Sequence, residues 1–238
     1  MKGRSFCPHC KHILTWQDLV PFVSFFVLGG KCRYCQQKIS WQYPAVEVST
    51  ALLFLLIFNQ QFISTLSQFT TTLYLFLVSS FLIVIFVYDL KHYIIPDKIV
   101  YPAIVIAFLY QLSVIIWNLP APYHSEGIGA GFRIWSLGFG ILPSLFFLGI
   151  ILLSQGRLMG MGDFKLAILM GLILGWPNIS VALFLAFLIG AIMGAGLILS
   201  GRKSLKSEVP FGPFLVGGTF LAFFWGDKII NWYFNFLL

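Results

Sequence analysis

The chain has 238 residues, of which 59% are hydrophobic and only 10% charged, with a mean hydropathy of +0.91 and a formal net charge of +7. A soluble domain carries roughly 25% charged residues, so the composition excludes one and indicates a polytopic membrane protein. The basic excess does not mark a nucleic-acid binder, because the Lys and Arg residues sit between apolar runs rather than in one patch.

The chain opens MKGRSFCPHC, with no apolar h-region, so no cleavable signal peptide is expected. All four cysteines fall in two Cys-x-x-Cys pairs, Cys7 with Cys10 and Cys32 with Cys35. Two such knuckles can bring four thiolates tetrahedrally onto one zinc ion, as in a zinc ribbon; two disulfides or a redox pair are the alternatives. Lys2, Arg4, Lys11, Lys31, Arg33 and Lys38 place the region on the cytoplasmic side, where thiols stay reduced, and so favour zinc. His9 and His12 lie beside a ligand shell that the cysteines already complete and are expected to be solvated. Between the knuckles, residues 13–28 are apolar but broken by Asp18 and Pro21. That run is too short for a span and is expected to pack on the bilayer surface or against the bundle.

A zinc-binding region over 1–43 is thus followed by an all-α membrane bundle over 44–238. About seven spans are expected, at 45–60, 68–88, 98–117, 133–154, 163–175, 177–200 and 211–226. Crossing a hydrocarbon core takes about 20 residues, so the fifth is read as a half-helix or a helix embedded among its neighbours. With the N-terminus inside, every basic residue except Arg133 and Lys228 falls on the inner side. The same topology puts Asp89 and Asp163 at the cytoplasmic face.

Asp89 ends the run YLFLVSSFLIVIFVY. A carboxylate opposes the negative end of a helix macrodipole, so a structural role explains it badly and a functional one well. Asp163 follows Gly160-Met161-Gly162 at the start of a span. It would suit an N-cap, but the two glycines would also let backbone or substrate approach its carboxylate. Two carboxyl groups brought together share a proton and can act as general base and general acid on a bound water and a scissile carbonyl. Asp97, after Pro96, reads as an N-cap rather than a catalytic partner. Lys165 either tunes the acidic site or snorkels to the interface. Glu47 pairs with a base, serves a second site, or caps its own first turn. The glycines of GAIMGAGLILSG have helix-packing spacing. Proton-coupled transport would put acids near mid-bilayer, usually with internal repeats; here the acids are at span ends and no repeat is visible. A membrane assembly factor without catalysis is the other alternative.

Taken in order, these pieces resemble the type IV prepilin peptidases, aspartic enzymes of the bacterial inner membrane. The resemblance runs over nearly the whole length: the knuckles with WQDLVPFVSFFVLGGKC between them, ISWQYPAVE, D-x6-P-D from Asp89 to Asp97, G-x-G-D-x-K-L from Gly160 to Leu166, and VPFGPFL at 209–215. It implies that Asp89 and Asp163 are the catalytic aspartates and that Cys7, Cys10, Cys32 and Cys35 bind Zn2+. It also implies prepilin or pseudopilin substrates, cut after the glycine that closes a short basic leader. In many members S-adenosylmethionine then methylates the new N-terminus, a step in which the N-terminal region is implicated. Gly30 matches a recurring family glycine to which no role is carried over. The family usually has a further span before the first knuckle, and this chain starts almost at its cysteines, so a late start or a short member is expected.

Overall fold

The computed structural model describes residues 5–60, 65–117, 130–155, 159–200 and 209–237. Among them, every regular element is helical apart from two isolated antiparallel bridges, Phe6 with Ile13 and Lys31 with Lys38. Lys2, Arg4, Arg157, Arg202, Lys203 and Lys206, on which part of the inside-outside reading rests, lie outside the described residues, as does Gly201. The chain divides into two compact units, Met1–Phe62 and Ile63–Leu238.

The first unit holds the cysteine knuckles, a short 3-10 turn at Trp16–Leu19, α1 (Val23–Val27) and α2 (Gln42–Gln60). Residues 13–28 form only these two short pieces and do not span. Asp18 organises them. Its carboxylate accepts from the Thr15 N–H and hydroxyl, from Arg33 Nε at 2.8 Å, and from the Tyr34 hydroxyl. The segment between the knuckles is thereby tied to the second knuckle. Hydrogen bonds from Thr15 and Arg33 outweigh the effect of burial and hold the Asp18 carboxyl below the usual range. Glu47 lies in the second turn of α2 and does not cap its own helix; its Oε2 accepts from the Phe22 N–H, which caps α1, at 2.7 Å. This tie and the compact grouping carry the first unit through α2, past residue 43.

The second unit is a bundle of α3 (Leu66–His92), α4 (Asp97–Trp117), α5 (Ala130–Ser154), α6 (Met161–Leu174), α7 (Asn178–Leu199) and α8 (Gly212–Leu237). With α2 these are seven helices among the described residues, six of them long, one for each expected span. Among the described residues, α2, α3, α4, α7 and α8 are long and apolar enough to cross a membrane, and α5 has a shorter apolar stretch over Gly140–Ser154. A capping box starts α3: Thr65 Oγ1 accepts from the Gln68 N–H, and Gln68 Oε1 accepts from the Thr65 N–H. Within α3, hydroxyls of Thr71, Thr72 and Ser80 donate back to carbonyls one turn earlier, which satisfies them without water.

The short helix α6 is the centre of this unit. It packs against α4, α5, α7 and α8, and Leu166, Ala167 and all residues from Leu169 to Leu174 are buried. At 14 residues it is about 21 Å long, less than the ~30 Å hydrocarbon core, so the embedded reading holds. A helix ending inside a bundle leaves carbonyls that water cannot reach. Gly175 N–H donates to the Gly171 carbonyl, and buried Gln111 of α4 donates from Nε2 to the Leu172 carbonyl at 2.7 Å.

Close helix crossings occur where two backbones meet without side chains. A Cβ on Gly140 of α5 would stand 2.8 Å from the Gly171 oxygen, and one on Gly171 would collide with the Gly140 carbonyl. Gly218 of α8 likewise lies against the backbone of Ala182 in α7. The packing glycines expected in α7 are not the ones used. Gly194 and Gly196 face open space, and Gly190 makes only ordinary contact with Phe214. Spacing alone does not say which helix face meets a neighbour.

Replacing Gln111 with Leu keeps the bulk but strands the Leu172 carbonyl in a dry interior. The Gln111→Leu protein is expected to lose about 1–3 kcal/mol of stability, read as a lowered thermal unfolding midpoint in detergent.

Candidate functional site

Asp89 sits in the last turn of α3, which ends when Tyr93 takes a left-handed conformation (φ 58°) and donates its N–H back to the Asp89 carbonyl. The aspartate is 4% exposed. Asp163 is half-buried in the first turn of α6. Gly160, not Asp163, is the N-cap, so the aspartate stands at the third helical position. There its carboxylate faces Gly160 at the start of α6, close to the positive end of the helix dipole. Both carboxylates come from helix ends at the same end of the bundle, and they are near enough for their charges to interact directly.

Glycines and one isoleucine bring the elements together. Ile95, buried in the turn between α3 and α4, fills the space beside Gly162, where a Cβ would come within 2.9 Å of the Ile95 Cβ. The Cδ1 of the same side chain reaches toward Gly212, the first residue of α8. Gly212 in turn donates its backbone N–H to the Asp89 carboxylate. Gly160 is also close, its Cβ direction 3.9 Å from Asp163 Oδ2. Ile95 and Gly212 had no role in the sequence reading. The FGP step in VPFGPFL, which sets a glycine at the head of an apolar run, was the available signal for Gly212; nothing marks Ile95 in advance.

Asp97 opens α4 as its first helical residue, not as its N-cap, and its Oδ1 accepts from Lys165 Nζ at 2.7 Å. Lys165 also lies over the Tyr101 ring, 4.8 Å from its centroid. The lysine therefore links the starts of α4 and α6. It neutralises Asp97 rather than Asp89 or Asp163.

In the first unit, the two knuckles are built alike. In each, the carbonyl of the first cysteine accepts from the N–H four residues on, at 2.8 Å for Lys11 to Cys7 and 3.0 Å for Gln36 to Cys32. The N–H of that cysteine donates to the carbonyl five residues on, His12 or Gln37. Lys11 and Gln36 both have positive φ, 55° and 57°, which turns the chain back immediately after the second cysteine. All four cysteines are free thiols. Their sulfurs lie within 4.8 Å of one another, with Cys7 and Cys35 3.9 Å apart. A tetrahedron with ~2.3 Å metal–sulfur bonds has edges of about 3.8 Å, whereas a disulfide needs about 2.05 Å, so the geometry fits a metal. Backbone N–H groups of Cys10 and His9 lower the Cys7 thiol to about 6, toward the thiolate that binds metal. His12 is exposed, as expected, with its ring lying against Tyr34, centroids 3.7 Å apart and planes tilted by 32°.

Comparison with known proteins agrees with this arrangement. Residues 1–61 match the Bacterial Peptidase A24 N-terminal domain, and residues 75–195 match the Type IV leader peptidase family. A prepilin leader peptidase/N-methyltransferase of Aeromonas hydrophila is 37% identical over 241 residues, spanning 100% of this chain and 77% of that protein. Proteins of the same name from Bacillus subtilis (strain 168) and Legionella pneumophila are each 34% identical over 97% of the chain, which corresponds to 85% and 75% of their own lengths. No solved structure matches the chain. With both halves matched in order and these identities along its length, the chain belongs to the type IV leader peptidase family, a family of proteases.

Proposed function

We propose that the chain removes the basic leader of type IV prepilins or pseudopilins at the cytoplasmic face of the bacterial inner membrane, with Asp89 and Asp163 as its catalytic pair. The observation that carries this reading is the convergence of the two helix ends that bear these carboxylates, with Ile95 packed both against Gly162, next to Asp163, and against Gly212, which abuts Asp89 Oδ2. Two carboxyl groups so placed hold one proton between them. The ionised member takes a proton from a water molecule as its oxygen attacks the scissile carbonyl carbon. The protonated member donates to the carbonyl oxygen. When the tetrahedral intermediate collapses and the C–N bond breaks, a proton passes to the leaving amine. The substrate is itself a membrane helix with a polar leader, so its scissile bond meets the dyad at the interface. The basic residues near the pair, Lys91, Lys98 and Lys165, favour the inner side.

The four-cysteine cluster suits structural Zn2+, held by Cys7, Cys10, Cys32 and Cys35, which would cross-link two knuckles that have little apolar core of their own. S-adenosylmethionine, for the methyltransferase step in the relatives' names, fits a cleft of about 430 Å3 in the first unit lined by Phe25, Phe26, Gly30, Lys31, Lys38 and Trp41. Its size is that of a small-molecule site. Aromatic faces suit a purine and a sulfonium cation, and the two lysines suit a carboxylate. Gly30 has φ 68°, a backbone conformation that L-residues rarely adopt, and a Cβ there would press on Phe25 Cζ at 3.1 Å. When bound, the cofactor supplies the methyl group for the new N-terminal amine.

Coexpression with a prepilin, read by mass spectrometry, tests the dyad. Asp89→Asn and Asp163→Asn are each expected to lower cleavage by about 1,000-fold or more, and Asp97→Asn to stay near the parent rate; parent-like cleavage by either of the first two overturns the assignment. Elemental analysis of the purified chain is expected to give one zinc per molecule, lost in Cys32→Ser; a zinc-free protein that is folded and active would refute the metal site. Calorimetric titration with S-adenosylmethionine is expected to show affinity reduced about tenfold in Trp41→Ala while leader cleavage is unchanged. An unaltered affinity would place the cofactor elsewhere.

A further inference from the structure

The geometry points to Gly212 as the residue that positions the Asp89 carboxylate, an inference that rests on the dyad reading above. Asp89 projects from the last turn of a long helix, where its side chain has no intrinsic reason to hold one orientation. Gly212 constrains it in two ways.

The first constraint is a hydrogen bond. The first turn of any helix has N–H groups without intrahelical partners, at the positive end of the dipole. In α8 most of that supply is removed. Pro213 has no N–H, and the N–H groups of Phe214 and Leu215 both donate to the Phe211 carbonyl, at 3.0 and 3.2 Å. Of the N–H groups at the head of the helix, that of Gly212 faces the Asp89 carboxylate.

The second constraint is space. A Cβ built on Gly212 would lie 2.5 Å from Asp89 Oδ2, 3.1 Å from its Cγ and 3.3 Å from Ile95 Cδ1. The Gly212 backbone is not in the left-handed region, so an L-residue could adopt it and the requirement is one of room alone. Ile95 closes the other side of the same space and also packs against Gly162, two residues from the N-cap Gly160 and next to Asp163. The carboxylate is thus drawn against the amide and kept there, and its aim toward Asp163 is set by α8 rather than by α3.

Gly212→Ala retains the N–H and adds only the methyl group that would displace the carboxylate. In purified full-length protein, kcat for prepilin cleavage is expected to fall about 100-fold. One limb of the pH–rate profile is expected to move by about half a unit or more. KM should change little. Gly217→Ala, on the same helix with nothing near its Cβ direction, is expected to match the parent in every readout. A parent-like rate in Gly212→Ala, or a fallen rate with an unmoved pH profile, overturns the inference.

Thermal unfolding gives a second reading. If Gly212→Ala lowers the midpoint, adding Asp89→Ala is expected to restore it, because the methyl group then occupies vacated space. Failure to restore it means that Gly212 matters for another contact. The two levels of the argument also separate. Full activity in Asp89→Asn removes the dyad reading itself, whereas an inactive Asp89→Asn beside a normal Gly212→Ala removes only the positioning role.

Discussion

Bringing Asp89 and Asp163 within reach of each other sets two carboxyl groups where water is scarce, and their mutual repulsion has to be resisted by the helices that carry them. The bundle meets this demand with helix ends. The last turn of α3, the first turn of α6 and the head of α8 converge, so free backbone N–H groups of Gly160 and Gly212 face the acids where side chains would bring bulk. Lys165 and Asp97 neutralise each other alongside, pinning α4 to α6 without placing a full charge against the pair. Aspartates in mid-span would have had neither donors nor room.

The first unit solves a different problem. It offers little apolar core: Cys7, Phe25 and Cys32 are among its few buried residues, and Trp16, Phe22, Val23, Phe26 and Val27 are exposed. A small unit of this kind depends on cross-links. Here the geometry supplies two turns of the same design, with sulfurs at metal-binding distance, and a buried carboxylate at Asp18 that ties the intervening segment to the second turn.

Much of this architecture is legible in the sequence, because membranes enforce simple rules. Unbroken apolar runs must be helices, so about seven spans could be counted, and the shortness of the fifth already indicated a half-helix or an embedded helix. The cysteine pairs and the position of Asp89 at the end of a run were equally plain. What could not be read were the facts that depend on which side of a helix meets which neighbour. The tight crossing lies at Gly140 and Gly171, not at the glycine series of α7, because lipid-facing and packed glycines look alike in one dimension. Glu47 serves the start of another helix, and Asp97 pairs with Lys165. Each of these partners is distant in the chain, and local spacing carries no trace of them.

The backbone contact between Gly140 and Gly171 has a bearing on how the protein moves. A helix in such contact cannot roll about its long axis without driving one carbonyl into the other. Asp163 lies eight residues up the same rod, roughly 12 Å away, so its azimuth is fixed from below like a key held in a lock. Whatever adjustment turnover demands therefore falls on the opposite jaw, formed by the end of α3, the Ile95 turn and the head of α8.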